Sequence, residues 1–308
     1  MTTMSESARW ERARVDLLRW APKRAYTKLV GWLADRKVPT RFRAPLYRRL
    51  STHFGIDLTE AAEQRLDSYQ SFNEVFTRRL HGGARPVDAR ADAVVSPCDG
   101  VVVEHGIISR GRMVQAKGRD YTLEALLCDP AEAERFEGGT YTTIYLCPAD
   151  YHRVHSPVTG LISSARYVPG ALFPVNPPAV RHVAGLFTVN ERVVTFIDGA
   201  KGQGGSEGER TALLMVAATG VGNMTLSYAP GFRAGTRRRQ RVDPAQHLPL
   251  PIERGGEVGV FNLGSTVIAI FGPGQVELEV RRGQKVRVGE RIGQRRGSAR
   301  QDRPERAA

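Results

Sequence analysis

Four side chains in this sequence could together carry acyl chemistry. Ser265 follows Gly264 in Phe261-Asn262-Leu263-Gly264-Ser265-Thr266, directly ahead of the apolar run Val267-Ile268-Ala269-Ile270-Phe271. His152 and His155 lie three apart in Tyr151-His152-Arg153-Val154-His155-Ser156-Pro157, and Asp99 sits in the turn Ser96-Pro97-Cys98-Asp99-Gly100. A serine hydroxyl is a weak nucleophile until a base takes its proton, and an imidazole serves best as that base when a third group fixes its ring. Ser265, His155 and Asp99 supply nucleophile, base and orienter. Gly264 has no Cβ, so its peptide can bend and be approached closely. Taken singly, these features are bland: a Gly-Ser step is a strand-entry turn, and a turn aspartate bonds its own backbone. Their order along the chain carries no information, since such triads occur in every order. No Gly-x-Ser-x-Gly elbow surrounds Ser265, which argues against an α/β-hydrolase. On a strand His152 and His155 point to opposite faces unless a bulge or turn intervenes. A metal pair calls for i, i+2 spacing on a strand, and no third ligand cluster is evident, so no metal is expected.

The elements that must position these groups are mostly strands. Unbroken Val, Ile and Phe after Ser265 predict a buried strand. From about residue 94 short β-branched runs alternate with Gly, Pro and Asp turns: Val101–Val103, Thr140–Leu146, Gly160–Tyr167, Val193–Ile197 and Thr211–Ala218. That texture predicts a β-dominated barrel or sandwich. Ser96-Pro97-Cys98-Asp99-Gly100 and Ser156-Pro157-Val158-Thr159-Gly160 share S-P-x-x-G, which predicts two related turns facing each other. Residues 56–80 carry Leu58, Ala61, Ala62, Leu66, Phe72, Val75, Phe76 and Leu80 at helical spacing and are expected to be helical. Arg78 and Arg79 beside that stripe could hold a phosphate. Gly199–Arg210 and the basic Arg233–Arg241 read as surface loops, and the polar tail after residue 293 as disordered.

Charge is unevenly spread. The chain of 308 residues has a formal net charge of +13, and residues 1–50 hold 13 Lys and Arg against 4 Asp and Glu, a net of +9. The same arm carries all three tryptophans, Trp10, Trp20 and Trp32, with Leu17, Leu18, Tyr26, Leu29, Val30 and Leu33 among the bases. Basic helices with Trp on the apolar face suit an anionic membrane surface better than nucleic acid. No run of 18 apolar residues predicts a bilayer span, and no signal peptide is expected. Cys98, Cys128 and Cys147 are odd in number and lack C-x-x-C spacing, so they read as reduced thiols.

Taken together, Phe72–Leu80, SPCDG, YHRVHSP, Leu172–Asn176, Asn190–Val194, Gly255–Phe271 and Phe271–Gly274 resemble the phosphatidylserine decarboxylases, a family of self-cleaving pyruvoyl enzymes. The resemblance implies that Ser265, with His155 as base and Asp99 as its orienter, attacks the Gly264 carbonyl. The products are a β chain 1–264 and an α chain 265–308 that begins with a covalent pyruvoyl group derived from Ser265. That ketone then forms a Schiff base with phosphatidylserine, and carbon dioxide leaves to give phosphatidylethanolamine. His152 is the expected proton donor to the product, with Tyr151 and Asp150 as weaker candidates. The implied fold class is α+β: a β-dominated barrel-sandwich core like biotinyl and lipoyl carrier domains, with amino-terminal amphipathic helices. The expected division is a membrane-binding region 1–70, a catalytic domain 71–293 and a tail 294–308. The implied setting is peripheral, on the cytoplasmic face of the cell membrane, and homodimers are usual in that family. Two other readings stand beside it. One is a membrane-associated Ser-His-Asp hydrolase. The other is a non-enzymatic carrier or lipid-binding module with Lys285 in a lipoyl-like Gly283-Gln284-Lys285 turn.

Overall fold

The computed structural model describes residues 23–116, 119–199, 208–219, 224–232, 234–235, 240–242, 249–262 and 265–296. Trp10 and Trp20, the chain around Gly264, most of the 233–241 loop and residues 297–308 lie outside them.

Ser265–Phe271 is the strand on which the architecture is assembled. It pairs antiparallel with Thr140–Leu146 on one side and with Arg210–Ala217 on the other, seven residues deep on each. All seven of its residues are buried, so both faces of the strand are covered and its apolar sequence needs no polar alternation. Outward from it the sheet continues through Gly100–Ile107 to Lys285–Val286. In the other direction it runs through Arg192–Asp198 and Gly160–Val168 to Gln240–Val242 and Leu250–Ile252. Among the described residues the two outer edges do not pair, so no closed barrel forms. Three smaller sheets complete a mixed, mainly β, α+β architecture.

The two Ser-Pro turns do face each other. Val95 donates to the Pro157 carbonyl (3.1 Å) and His155 to the Pro97 carbonyl (2.7 Å). Within each turn the serine hydroxyl donates two residues on, Ser96 to Cys98 (2.7 Å) and Ser156 to Val158 (2.6 Å). Each turn also leans on a Gly loop: Gly289 donates to the Ser96 carbonyl (3.2 Å), and Gly255 to that of Ser156 (2.8 Å). The closing glycines are required by space. A Cβ at Gly100 would lie 2.4 Å from the Tyr145 carbonyl oxygen, and one at Gly160 would lie 2.4 Å from that of Asp198.

The helical expectation for residues 56–80 is corrected by the structure. The preceding helix, Thr40–Phe54, ends on Gly55 in the left-handed region, and within residues 56–80 only Phe72–Phe76 is helical. Between them side chains capture the backbone. Asp57 accepts from the Thr59 amide (2.8 Å), Glu63 from the Arg65 amide (2.7 Å), and the Tyr69 hydroxyl donates to the Glu63 carbonyl (2.7 Å). Such local bonds compete with helix formation and here they win. The short helix starts on Ser71, whose hydroxyl accepts from Glu74 N–H (3.3 Å). Arg291–Arg295 is a strand, so order runs two residues into the segment read as tail.

Candidate functional site

Ser265 opens the central strand, with its Cα opposite Leu146 on one side and Ala217 on the other. It is fully buried, and its Oγ has no hydrogen-bond partner. A dry hydroxyl without a partner carries an uncompensated desolvation cost. Gly264, the residue that would be attacked, lies outside the described residues.

His155 closes the strand Arg153–His155. Its Nδ1 lies 2.8 Å from the Gly255 carbonyl oxygen. A carbonyl only accepts, so Nδ1 holds the proton and Nε2 keeps its lone pair. That Nε2 is buried and has no partner. Burial holds the ring's pKa below the ordinary histidine value, so the imidazole is neutral at neutral pH. Ser265 thus offers a donor without an acceptor, and His155 an acceptor without a donor.

The same reasoning applies to His152. Nδ1 faces the Asp150 carbonyl oxygen at 2.8 Å, and Nε2 is buried and unpartnered. The ring is fully buried against Phe76, with centroids 4.1 Å apart. Desolvation pushes its pKa down to about 3. At neutral pH His152 therefore has no acidic proton at Nε2 and must first accept one. Asp150 accepts the Cys147 amide (2.7 Å), and burial raises its carboxyl above the usual carboxylate value. Tyr151 stacks on His155 with centroids 5.8 Å apart.

Asp99 is placed differently from the sequence expectation. Its carboxylate receives Arg85 Nε (3.0 Å to each oxygen), Arg85 Nη2 (2.6 Å) and the Val288 amide (2.9 Å). No hydrogen bond joins it to His155. It lies close enough for its charge to favour the protonated imidazole, but the ring's orienter is the Gly255 carbonyl. The reason lies in the paired turns: Thr159, the counterpart of Asp99, accepts the Arg254 amide (3.1 Å) much as Asp99 accepts that of Val288. The aspartate is thus a turn anchor and a fixed charge at once. Arg85 also grips Glu60, at 3.0 and 2.8 Å. Neither Arg85 nor Gly255 was visible as functional in the sequence, since Gly-Gly-Ala-Arg-Pro reads as a turn and Gly-Gly likewise. Lys285 lies in an edge strand opposite Val101, not at a hairpin tip. Among the described residues no group of three His, Cys, Asp or Glu could hold a metal.

A β-rich fold that holds a buried serine at the mouth of its central strand and a neutral imidazole on a neighbouring sheet, both unpartnered, belongs to the class of chains built for acyl chemistry on themselves or on a ligand. The comparisons make the assignment specific. Residues 72–294 match the family model for phosphatidylserine decarboxylase. A phosphatidylserine decarboxylase proenzyme of Anaeromyxobacter sp. (strain K) is 43% identical over 288 residues, covering 92% of this chain and 98% of that one. Proenzymes of the same description from Bordetella petrii and Myxococcus xanthus are 41% and 39% identical. They cover 83% and 90% of this chain, and 87% and 96% of their own lengths. The chain belongs to the phosphatidylserine decarboxylase family.

Because the pKa of His152 falls from 6.5 to about 3 on folding, the unfolded chain binds the extra proton between those values. Stability is then complete above pH 6.5 and is lost as pH falls, by up to about 1.4 kcal/mol per pH unit for one such group. Denaturant titrations from pH 7 to pH 4 should show a steeper loss for wild type than for His152→Phe. Equal slopes would contradict a buried neutral His152.

Proposed function

We propose that this chain is a self-processing, pyruvoyl-dependent decarboxylase that converts phosphatidylserine to phosphatidylethanolamine and carbon dioxide. The observation that carries this reading is the pair of complementary orphans, Ser265 Oγ and His155 Nε2, in a chain of this family. His155 Nε2 takes the hydroxyl proton as Oγ attacks the Gly264 carbonyl carbon. The C–N bond breaks, and His155 returns the proton to the nitrogen of residue 265. The chain is then an ester between Gly264 and Ser265. Loss of the Cα proton breaks Cβ–Oγ, releasing Gly264 as a carboxylate and leaving dehydroalanine at residue 265. Addition of water and loss of ammonia leave the ketone of a pyruvoyl group. Gly255 fixes the tautomer that makes His155 a base, and the charge of Asp99, held by Arg85, favours the transient imidazolium. The new chain 265–308 stays in place because its first seven residues are paired on both sides.

Position 265 suits the group it would become: it is dry, buried and without competing hydrogen bonds. When present, a pyruvoyl group supplies an electron sink for the pair left by the departing carboxylate. His152 serves the proton traffic. The serine headgroup enters as an ammonium, and its nitrogen is nucleophilic only after losing a proton. His152 Nε2, neutral and unpartnered, accepts that proton and holds it for the substrate Cα.

The described helices support a peripheral membrane site in the region 1–70, and we propose the cytoplasmic face for it. Lys23–Ala34 exposes Tyr26, Leu29, Trp32 and Leu33, each more than half accessible, and Phe42, Leu46 and Phe54 of the next helix are exposed as well. Arg36 lies over the Trp32 ring at 3.7 Å. No described helix is long and apolar enough to cross a bilayer. We read residues 71–293 as the catalytic unit, and the facing Ser-Pro turns as support for a carrier-like barrel-sandwich within it.

Two outcomes test this reading. His155→Ala should remain one polypeptide on a denaturing gel, whereas His152→Ala should cleave and then release carbon dioxide at least about 100-fold more slowly than wild type. Normal turnover by His152→Ala would remove it from the reaction. Deleting residues 1–37 should weaken sedimentation with phosphatidylserine-containing liposomes, most visibly at low ionic strength. Unchanged sedimentation would assign that arm to packing.

A further inference from the structure

Arg78 is a buried cation with no acceptor for two of its three guanidinium nitrogens among the described residues. It is 4% exposed, and its Nε and Nη1 are buried with no hydrogen-bond acceptor. The acids whose charges reach it are engaged elsewhere: Asp57 accepts from Thr59, and both oxygens of Glu60 accept from Arg85. Its neighbour Arg79 has a side chain 72% exposed that lies near Glu257, so the two arginines of the pair are not equivalent. A guanidinium left dry and unpaired is costly, and a protein keeps one where a ligand completes it.

Arg78 also stands at the catalytic wall. Two residues before it, Phe76 packs on the His152 ring. The carbonyl of Thr77 is clamped by Arg153 Nε and Nη2 (3.1 and 2.8 Å) from the His152–His155 segment. The charge of Arg78 is felt at His152. We infer that Arg78 is the ligand for the phosphodiester of the substrate headgroup, fixing the serine moiety at a set reach from His152 and residue 265. This rests on the decarboxylase reading above. The substrate has two anionic groups, and chemistry chooses between them. A guanidinium gripping the carboxylate would stabilise the ground state and oppose its departure as neutral carbon dioxide. The phosphodiester keeps its charge throughout, and the planar fork of arginine matches two of its oxygens.

The test uses the matured wild-type enzyme and its Arg78→Gln and Arg78→Lys variants with glycerophosphoserine and with free L-serine, which lacks the phosphate. Wild type should prefer glycerophosphoserine in kcat/KM by roughly 10–100-fold, the worth of a charge-assisted contact. Arg78→Gln should abolish most of that preference through KM, costing glycerophosphoserine far more than L-serine, and be partly rescued by Arg78→Lys. Glycerophosphoethanolamine, which has the phosphodiester and no carboxylate, should inhibit wild type competitively and Arg78→Gln much less. Equal losses on both substrates would overturn the inference. If the variants fail to mature, a wild type that shows no preference and no such inhibition overturns it as well. Wild type that releases no carbon dioxide from phosphatidylserine micelles would instead refute the decarboxylase reading itself.

Discussion

The structure depends on one constraint: the first residue of the innermost strand must be held rigidly while its hydroxyl is left unsatisfied. Two antiparallel ladders immobilise Ser265–Phe271, and the burial of every residue in it removes water as a competitor. A buried unpaired hydroxyl is a defect by the standards of a stable core. It is tolerated because the strand beyond it, Val267 to Phe271, is wholly apolar and fully buried, and contributes on the order of 1.5–3 kcal/mol for each large side chain removed from water. Reactivity at the strand mouth is thus supported by packing along the strand.

The site is assembled by breaking a local symmetry. The two Ser-Pro turns exchange backbone hydrogen bonds, lean on equivalent Gly loops and begin strands with equivalently crowded glycines. Within that frame the chemical groups occupy corresponding but unlike positions. His155 stands where the other turn has Val95, and Asp99 stands where the other has Thr159. One scaffold therefore serves twice, and the differences between its copies place a base and a fixed anion on facing turns. The electrostatics follow. Two histidines bonded through Nδ1 to carbonyls are neutral and present lone pairs, so proton acceptance precedes any proton donation.

Much of this was legible in the sequence, for identifiable reasons. The central strand is an uninterrupted apolar run, and the facing turns share three residues, Ser, Pro and Gly, at fixed spacing. The partners of Asp99 were not legible. Arg85 comes from a Gly-Gly-Ala-Arg-Pro segment with no periodic signal, and it reaches Asp99 only through the tertiary fold. The orienter of His155 is a backbone carbonyl 100 residues away, which no side-chain pattern encodes. The helix expected over residues 56–80 failed because the apolar spacing does not reveal that Asp57 and Glu63, between those positions, bond the backbone.

The most direct test of the central claim is the intact mass of the purified protein under denaturing conditions. The account predicts two chains, residues 1–264 and residues 265–308, the second lighter by one ammonia than the same chain beginning with serine and reactive toward hydrazines. A single 308-residue polypeptide with unmodified Ser265, active in releasing carbon dioxide from phosphatidylserine, would contradict it.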